Sequence, residues 1–268
     1  MDIYSGAFNL NSQLDRSVEP RTGQYNCRIR LATLYPRGAL EVSRELSLSF
    51  SMLNSQGSGH LGAGWRLSNT EFDPTDSLLT LLTGEQYQTQ SLPSVGGTLV
   101  IQNRKLKDVV VKRVAASTLH VIYKDGTVEI LGRPSSSGPY KITEIDFENG
   151  ERLSFRYLGG GPLEKVLDQN GNALVVFTYI GALLVMADVQ VEGGRYARTR
   201  IAYGNTNNQL ISATVPYDSV QTPPGTAAHT FTYQRFGNGL IAISDVKTPM
   251  GGTELISYEE RGHSYANK

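Results

Sequence analysis

Apolar and polar residues alternate with period two along much of this chain. In Leu46-Ser47-Leu48-Ser49-Phe50 the two Leu side chains and the Phe fall on one face. Leu119-His120-Val121-Ile122-Tyr123 and Thr127-Val128-Glu129-Ile130-Leu131 repeat the pattern. Such alternation sets one face of a strand on a core and the other in water. Lys124-Asp125-Gly126 lies between the last two, and Asp-Gly supplies the positive φ that a tight hairpin turn requires. The apolar run from Ala173 to Ala187 is interrupted at Thr178 and Gly181 and reads as two strands. Further turns are expected at Gln169-Asn170-Gly171-Asn172 and Asn205-Thr206-Asn207-Asn208. No stretch combines three-to-four spacing with helix caps. The chain therefore reads as all-β, built from short antiparallel strands and hairpins.

From about Arg152 to Tyr258 one unit recurs: a short strand ending in Tyr, a polar Gly or Asn turn, and another short strand. The strands are Leu153–Tyr157, Leu174–Tyr179, Arg200–Tyr203, Thr230–Tyr233 and Leu255–Tyr258, with Tyr residues roughly 20 to 30 positions apart. Recurrence on this scale implies a repeat architecture in which each unit buries its apolar face on its neighbours. Arg133-Pro134-Ser135-Ser136-Ser137-Gly138-Pro139 is a loop by composition. It divides an N-terminal β region, 1–132, from a repeat region, 140–268, with the loop at 133–139. A second loop, Thr222-Pro223-Pro224-Gly225-Thr226, lengthens one repeat. Residues after Tyr258 offer no cap for the last strand edge, so the expectation is an array truncated from something longer.

Charge narrows the partners. The 268 residues carry 25 basic and 25 acidic side chains, which argues against nucleic acid. The densest basic stretch, Arg104-Lys105-Leu106-Lys107, runs into Val109-Val110-Val111 and reads as a strand with a solvated face. Cys27 is the single cysteine, so no intrachain disulfide forms. This weakly favours a reducing compartment. Met1-Asp2-Ile3-Tyr4-Ser5-Gly6 has no basic and apolar leader, and no apolar run is long enough to span a bilayer. A protein made in the cytoplasm and exported by a route without a Sec signal, or inside a larger machine, fits these features.

No catalytic, cofactor or metal residue is expected. Gly57-Ser58-Gly59-His60-Leu61-Gly62 matches the dinucleotide pattern, with Asp76 near the ribose position. Pyrophosphate binding needs a helix N-terminus directly after the glycines, whereas Ala63-Gly64-Trp65-Arg66-Leu67-Ser68 follows as a strand. Gly62 and Gly64 read instead as a tight loop leading to a buried Trp65. His60, His120, His229 and His263 lack partners at metal-ligand spacing, and His120 lies on the face opposite Leu119 and Val121. No G-x-S-x-G elbow accompanies a Ser-His-Asp set. Asp73, Asp76, Glu144, Asp146, Asp168 and Asp245 are carboxylates with no legible pairing. The 14 Tyr residues pack repeat on repeat or form an exposed aromatic surface for a glycan or protein.

Several segments resemble the RHS, or YD-repeat, family of bacterial polymorphic toxins and Tc-toxin C-like proteins. Leu163-Glu164-Lys165-Val166-Leu167-Asp168-Gln169-Asn170-Gly171, running to Phe177-Thr178-Tyr179, is the best copy of that repeat. Leu240 to Asp245, then Gly251 and Tyr258, is a looser one. Phe8-Asn9 with Glu19-Pro20-Arg21-Thr22-Gly23-Gln24-Tyr25 is similar to the family's opening "DPRTG-x-Y", with Glu19 in place of Asp. Leu53-Asn54-Ser55-Gln56, Gly59, Gly62 and Gly64-Trp65 is similar to its "N-x-Q-x-x-G-x-G-x-G-W" segment, slightly expanded. Tyr123 to Glu129 resembles its "DG-x-V-E" hairpin. The Tyr-Asp pair itself survives only at Tyr217-Asp218, and no "DP-x-G" pair is present.

The resemblance implies a β-sheet spiral that closes into a hollow shell around a C-terminal toxic domain, freed by a self-cleaving aspartic site. This chain would supply only the N-terminal wall, without enzymatic activity. Its partners would be the remainder of the shell and its toxin cargo, with a B-subunit-like shell partner or a secretion apparatus, and insects or competing bacteria as targets. Structural roles would fall to Trp65, Gly62, Gly64, Asp125, Gly126, Asp168, Gly171, Tyr157, Tyr179, Tyr203, Tyr233 and Tyr258. The alternatives are a free-standing β-rich module that binds a cell-surface glycan or protein and, further off, a β-architecture hydrolase.

Overall fold

The structure is a computed structural model. It describes residues 14–18, 23–36, 43–54, 59–102, 108–133, 138–191, 195–204, 208–218 and 225–258. The Phe8-Asn9, Glu19–Thr22, Ser55–Ser58, Arg104–Lys107, Asn205–Asn207, Thr222–Pro224 and His263 readings lie outside them. Among the described residues the helical conformation is confined to a 3-10 turn, Met52–Asn54, and to Pro36, and the named elements are otherwise strands. The described strands pair antiparallel. The all-β expectation is borne out.

Strands β1 (Leu14–Val18), β2 (Tyr25–Leu34), β3 (Arg44–Phe50) and β4 (Trp65–Leu67) form a sheet in that order. Next come β5 (Glu71–Asp73), β6 (Leu78–Thr80), β7 (Gln86–Gln88), β8 (Val109–Ala115), β9 (Thr118–Tyr123), β10 (Val128–Gly132) and β11 (Tyr140–Asp146). They are followed by β12 (Arg152–Tyr157), β13 (Leu163–Asp168) and β14 (Ala173–Ile180). The chain ends in β15 (Leu183–Val191), β16 (Arg195–Tyr203), β17 (Leu210–Asp218), β18 (Gly225–Arg235), β19 (Ile241–Lys247) and β20 (Thr253–Leu255). Contacts divide the chain into two compact units. One holds residues 1–31, 47–67 and 178–268, and the other 32–46 and 68–177. Residues 134–137 of the loop read at 133–139 lie outside the described residues.

In the second unit the pairings close on themselves. β11 pairs with β10 and, through Tyr140 and Lys141, with β5. β5 pairs with β6 and β6 with β7. Thr89, just past β7, bridges Ile101, and Thr98 bridges Lys112 of β8. β8 pairs with β9 and β9 with β10, which completes the circuit. The result is a small barrel, and closure removes its free edges. Phe72, Leu79, Leu81, Leu99, Val109, Val111, Leu119, Val121, Leu131 and Tyr140 fill it. The rest of the edge that β5 leaves on β11, Glu144 to Asp146, pairs with β12. β11 is thus a fork from which β12, β13 and β14 continue as a meander.

The alternation read at 127–131 holds, with an unexpected inward set. Thr127, Glu129 and Leu131 are buried, while Val128 and Ile130 are half-buried on the other face. An acid is tolerated inside because two hydroxyls donate to it, as described below.

In the first unit β1, β4 and the parts of β2 and β3 that belong to it, up to Leu31 and from Ser47, pack on the β15–β20 meander. Trp65 meets Phe231 edge-on at 5.1 Å and Phe50 at 5.6 Å, and Phe50 lies 6.0 Å from Tyr233. Along β18 the residues Ala227, His229 and Phe231 are buried and alternate with exposed neighbours. The last strand ends at Leu255, three residues short of the expected Tyr258, although Ile256 N–H still donates to the Ser244 carbonyl at 2.8 Å.

One turn recurs through both units. It begins at Leu81, Tyr123, Phe147, Asp168, Phe236 and Thr248. In each case the first residue's N–H donates to the carbonyl four positions on, and a Gly three positions on donates back to the first carbonyl. These glycines, Gly84, Gly126, Gly150, Gly171, Gly239 and Gly251, have φ between +81° and +92°. This is a type I turn closed by a G1 bulge, whose twist matches the flanking strands. The side chains of Asp125, Asn149 and Asn238, each directly before the Gly, accept the N–H two residues on. Asp or Asn precedes the Gly in four of these six turns, whereas Thr83 and Met250 precede it in the other two.

Candidate functional site

Four of the five recurring tyrosines share one hydrogen bond. Tyr157 donates its hydroxyl to the Ile142 carbonyl at 2.8 Å, Tyr203 to Leu184 at 2.7 Å and Tyr258 to Ile243 at 2.9 Å. Tyr233 donates to the Leu210 carbonyl. Extending the strand registers puts Tyr157 opposite Lys141, Tyr203 opposite Leu183, Tyr233 opposite Gln209 and Tyr258 opposite Ala242. Every hydroxyl therefore reaches the carbonyl one residue beyond its cross-strand position. Each is a latch that ties the end of one strand to the start of the strand before it. Tyr140 makes a related bond, to the Ala116 carbonyl at 2.9 Å. Burial pushes the Tyr179, Tyr203 and Tyr233 phenols up, and that of Tyr258 up to about 12, so all four stay protonated donors at neutral pH.

Tyr233 does most. Its oxygen also accepts the Trp65 indole N–H at 2.8 Å, so one hydroxyl joins β4, β17 and β18. The loop that delivers Trp65 needs its glycines. Gly62 and Gly64 have φ of +78° and +85°. A Cβ on Gly62 would overlap the Asn208 carbonyl oxygen, and one on Gly64 the Phe50 ring. β4, not a helix, follows this loop, so its backbone amides are not arrayed for a pyrophosphate.

A second polar centre lies in the barrel. Glu129, 1% exposed, accepts the Thr70 hydroxyl at 2.5 Å and the Tyr123 hydroxyl at 2.9 Å. Thr70 Oγ1 in turn accepts the Leu82 N–H at 2.9 Å. The Arg44 guanidinium lies 5.9 Å from the Tyr123 ring centroid and 5.4 Å from that of Phe147. Desolvation raises the Glu129 carboxyl, opposed by the two hydroxyl donors and Arg44. Desolvation, with Glu129 beside it, also raises the Tyr123 phenol.

A third cluster sits between β1–β2 and β18–β20. Arg16 and Glu254 form an ion pair at 2.8 Å, and Tyr25 donates to the same Glu254 oxygen at 3.2 Å. Cys27 and His229 are buried there at 1% exposure each. Neither ring nitrogen of His229 has a hydrogen-bond partner.

The structure brings together Gly62, Gly64, Trp65 and Tyr233 in the first unit, and gives Tyr157, Tyr203 and Tyr258 equivalent places in separate hairpins. Tyr179 packs edge-on against His60 at 5.9 Å. His60 also contacts the Ala182 carbonyl through Nδ1 at 2.9 Å. Asp125 and Gly126 make one recurring turn. Asp168 and Gly171 make another, in which the Asp168 carboxylate accepts the N–H groups of Asn170 and Asn172 and the Asn172 side-chain amide. Asp146, Glu144 and Arg152 form an exposed cross-strand ion cluster. His120 is half-buried between Leu119 and Val121 in sequence but off their core face. Among the described residues no three His, Cys, Asp or Glu side chains converge as metal ligands, and no helix is long and apolar enough to cross a membrane.

Sequence reasoning missed the burial of His229 and Glu129. The first was legible: Ala227, His229, Phe231 and Tyr233 alternate with Ala228, Thr230 and Thr232, which sets His229 on the apolar face. The second depends on hydroxyls 59 and 6 positions away.

No protein-family model matches the chain, and no curated protein sequence matches it significantly. Solved structures do. The N-terminal domain of effector protein SpvB from Salmonella typhimurium strain LT2 is 12% identical with a TM-score of 0.38, over 86% of this chain and 99% of that one. A chain of the Photorhabdus luminescens Tc holotoxin pore is 13% identical with a TM-score of 0.43, over 90% of this chain. A chain of the TcdB2-TccC3 crystal structure is 10% identical with a TM-score of 0.39, also over 90%. This chain spans 16% of the length of each of those two. Among known folds, then, the chain is similar to an effector's N-terminal domain and to stretches of Tc toxin proteins.

Proposed function

We propose that this protein is a non-enzymatic wall segment of a β-sheet shell of the RHS or Tc-C-like kind, which encloses or carries a toxin for delivery. The observation that carries this reading is the repeated hydrogen-bonded unit. Among the described residues six hairpins are closed by the same Gly-bulge turn, and four are held by a Tyr hydroxyl on the previous strand's carbonyl. A device repeated along the chain stiffens a surface everywhere, whereas catalysis concentrates unusual groups at one place. The buried phenols, raised by desolvation, act as donors to backbone and are poor acids or nucleophiles at neutral pH. The loop glycines, Trp65 and the Asp125-Gly126 hairpin are the residues that resemble the family, and each has a mechanical role in this structure.

The partners under this reading are the remaining wall and a polypeptide cargo. The test is an immunoblot of source cells with an antibody against this segment, followed by protease treatment of the native material. A species several-fold above 29.3 kDa that shields a co-purifying polypeptide from protease is expected. A lone band at 29.3 kDa with nothing protected overturns the proposal.

A further inference from the structure

The cluster between β1–β2 and β18–β20 plays no part in the latch-and-turn device, yet it is chemically the least comfortable place in the first unit. His229 stands on β18 with its ring in the interior, 1% exposed, and with both nitrogens lacking a hydrogen-bond partner. A buried polar group left this way costs free energy even when neutral, and a charged one costs more. Its cross-strand neighbour on β17 is Ala213, which offers no acceptor side chain. Extending the β18–β19 register puts Thr248 on its other side, next to the exposed Lys247. From β1 the nearest influence is the Arg16 cation, with Asp15 close to Cys27. β2 contributes Tyr25 and Cys27, β18 itself Tyr233, and β20 Glu254. Glu254, the acid on β20, is already engaged by Arg16 and Tyr25.

We propose that His229 and the Arg16–Glu254 pair form an acid-released clamp, so that acidification detaches β1–β4 from the β18–β20 face while the barrel of the second unit remains folded. A proton on His229 places a second cation beside Arg16 with no acceptor to receive its N–H groups. Opening then exposes an apolar surface that carries Tyr25, Cys27, Phe50, Trp65 and Phe231. Burial, with Arg16 adding to it, depresses His229 to about 4 against an ordinary value of 6.5. A group depressed in the folded state favours folding above its unfolded value and withdraws that support as pH falls toward the folded one. The closed form therefore loses stability from about pH 6.5 down to about pH 4, by roughly 30-fold in the folding constant at pH 5. This inference stands apart from the shell reading, since it concerns one seam and no partner.

Trp65, the single tryptophan, is 2% exposed in this seam and reports its opening. The experiment records Trp65 emission of the full chain from pH 8 to 4, alongside amide signals of β9 and β10. A reversible red shift below pH 6.5 with the barrel signals intact is expected, moved at least one pH unit lower in His229→Phe. Equal midpoints in the two proteins overturn the proposal. Should His229→Phe fail to fold, the wild-type histidine Cε1–H resonances decide. His229 silent until Trp65 shifts supports the clamp, and ordinary titration near 6.5 with Trp65 emission unchanged overturns it.

Discussion

Replacing Tyr233 by Phe removes one oxygen and strands two buried groups. The Leu210 carbonyl loses its donor, and the Trp65 indole N–H loses its acceptor. Leu210 and Trp65 are 0% and 2% exposed, so water does not take over either role without opening the seam. Leaving a buried donor or acceptor unsatisfied costs about 1–3 kcal/mol each, so Tyr233→Phe should destabilise the first unit by about 2–4 kcal/mol. Tyr203→Phe is the matched control. It lies in the same unit, loses a latch of the same geometry at 2.7 Å and a long contact to the His60 carbonyl at 3.4 Å, and leaves the Trp65 bond untouched. Its cost should be about 1–1.5 kcal/mol. Urea unfolding followed by Trp65 emission reads both variants, and barrel amide signals watch the second unit separately, because two units need not unfold as one. A Tyr233→Phe cost no greater than that of Tyr203→Phe would refute the claim that one hydroxyl serves both strands.

Three further outcomes follow from the geometry. Gly62→Ala and Gly64→Ala, where a Cβ would overlap backbone or ring, should cost well over 3 kcal/mol or abolish folding, whereas Gly171→Ala, strained at φ +83° but in open space, should cost about 1–2 kcal/mol. Thermal unfolding of the three variants checks the order. Glu129→Gln should raise the melting temperature of the barrel at pH 7.5 and lose that advantage toward pH 4. Desolvation raises the folded carboxyl, so its contribution is full below the unfolded value and falls as pH rises through the folded one. An equal change at both pH values would contradict this. Arg198→Ala, which breaks the exposed pair with Asp188 at 2.6 Å, should change urea stability by less than about 1 kcal/mol.

Period-two alternation and the Asp-Gly turn were enough to read an all-β chain, because both are local. Strands such as Leu119–Tyr123 and the break at Gly181 were visible in the same way, whereas Thr178, read as an interruption, continues β14. The recurring Tyr was visible as well, but its partner was not. A carbonyl 15 to 23 residues upstream becomes meaningful only once the register is known. Barrel closure was hidden for a similar reason. It depends on two isolated bridges, Thr89 to Ile101 and Thr98 to Lys112, in a stretch with no sustained alternation. Glu129 shows the limit most clearly. Its pattern permits either face, and only the hydroxyls of Thr70 and Tyr123 decide that the acid goes in.

The closed circuit that ends in the β11 fork has a consequence for register. In an open sheet a strand slips against one neighbour at the cost of a single pairing. In a ring, a slip at one seam has to be matched by slips around the whole circumference, or the ring opens. Slip by one residue also turns every inward side chain outward. β11 belongs to the ring along Tyr140–Lys141 and hands its remaining edge, Glu144–Asp146, to β12. The ring therefore works as an index mark. It fixes the phase from which β12, β13 and β14 are counted, so hairpins with nearly interchangeable turns still find their own places.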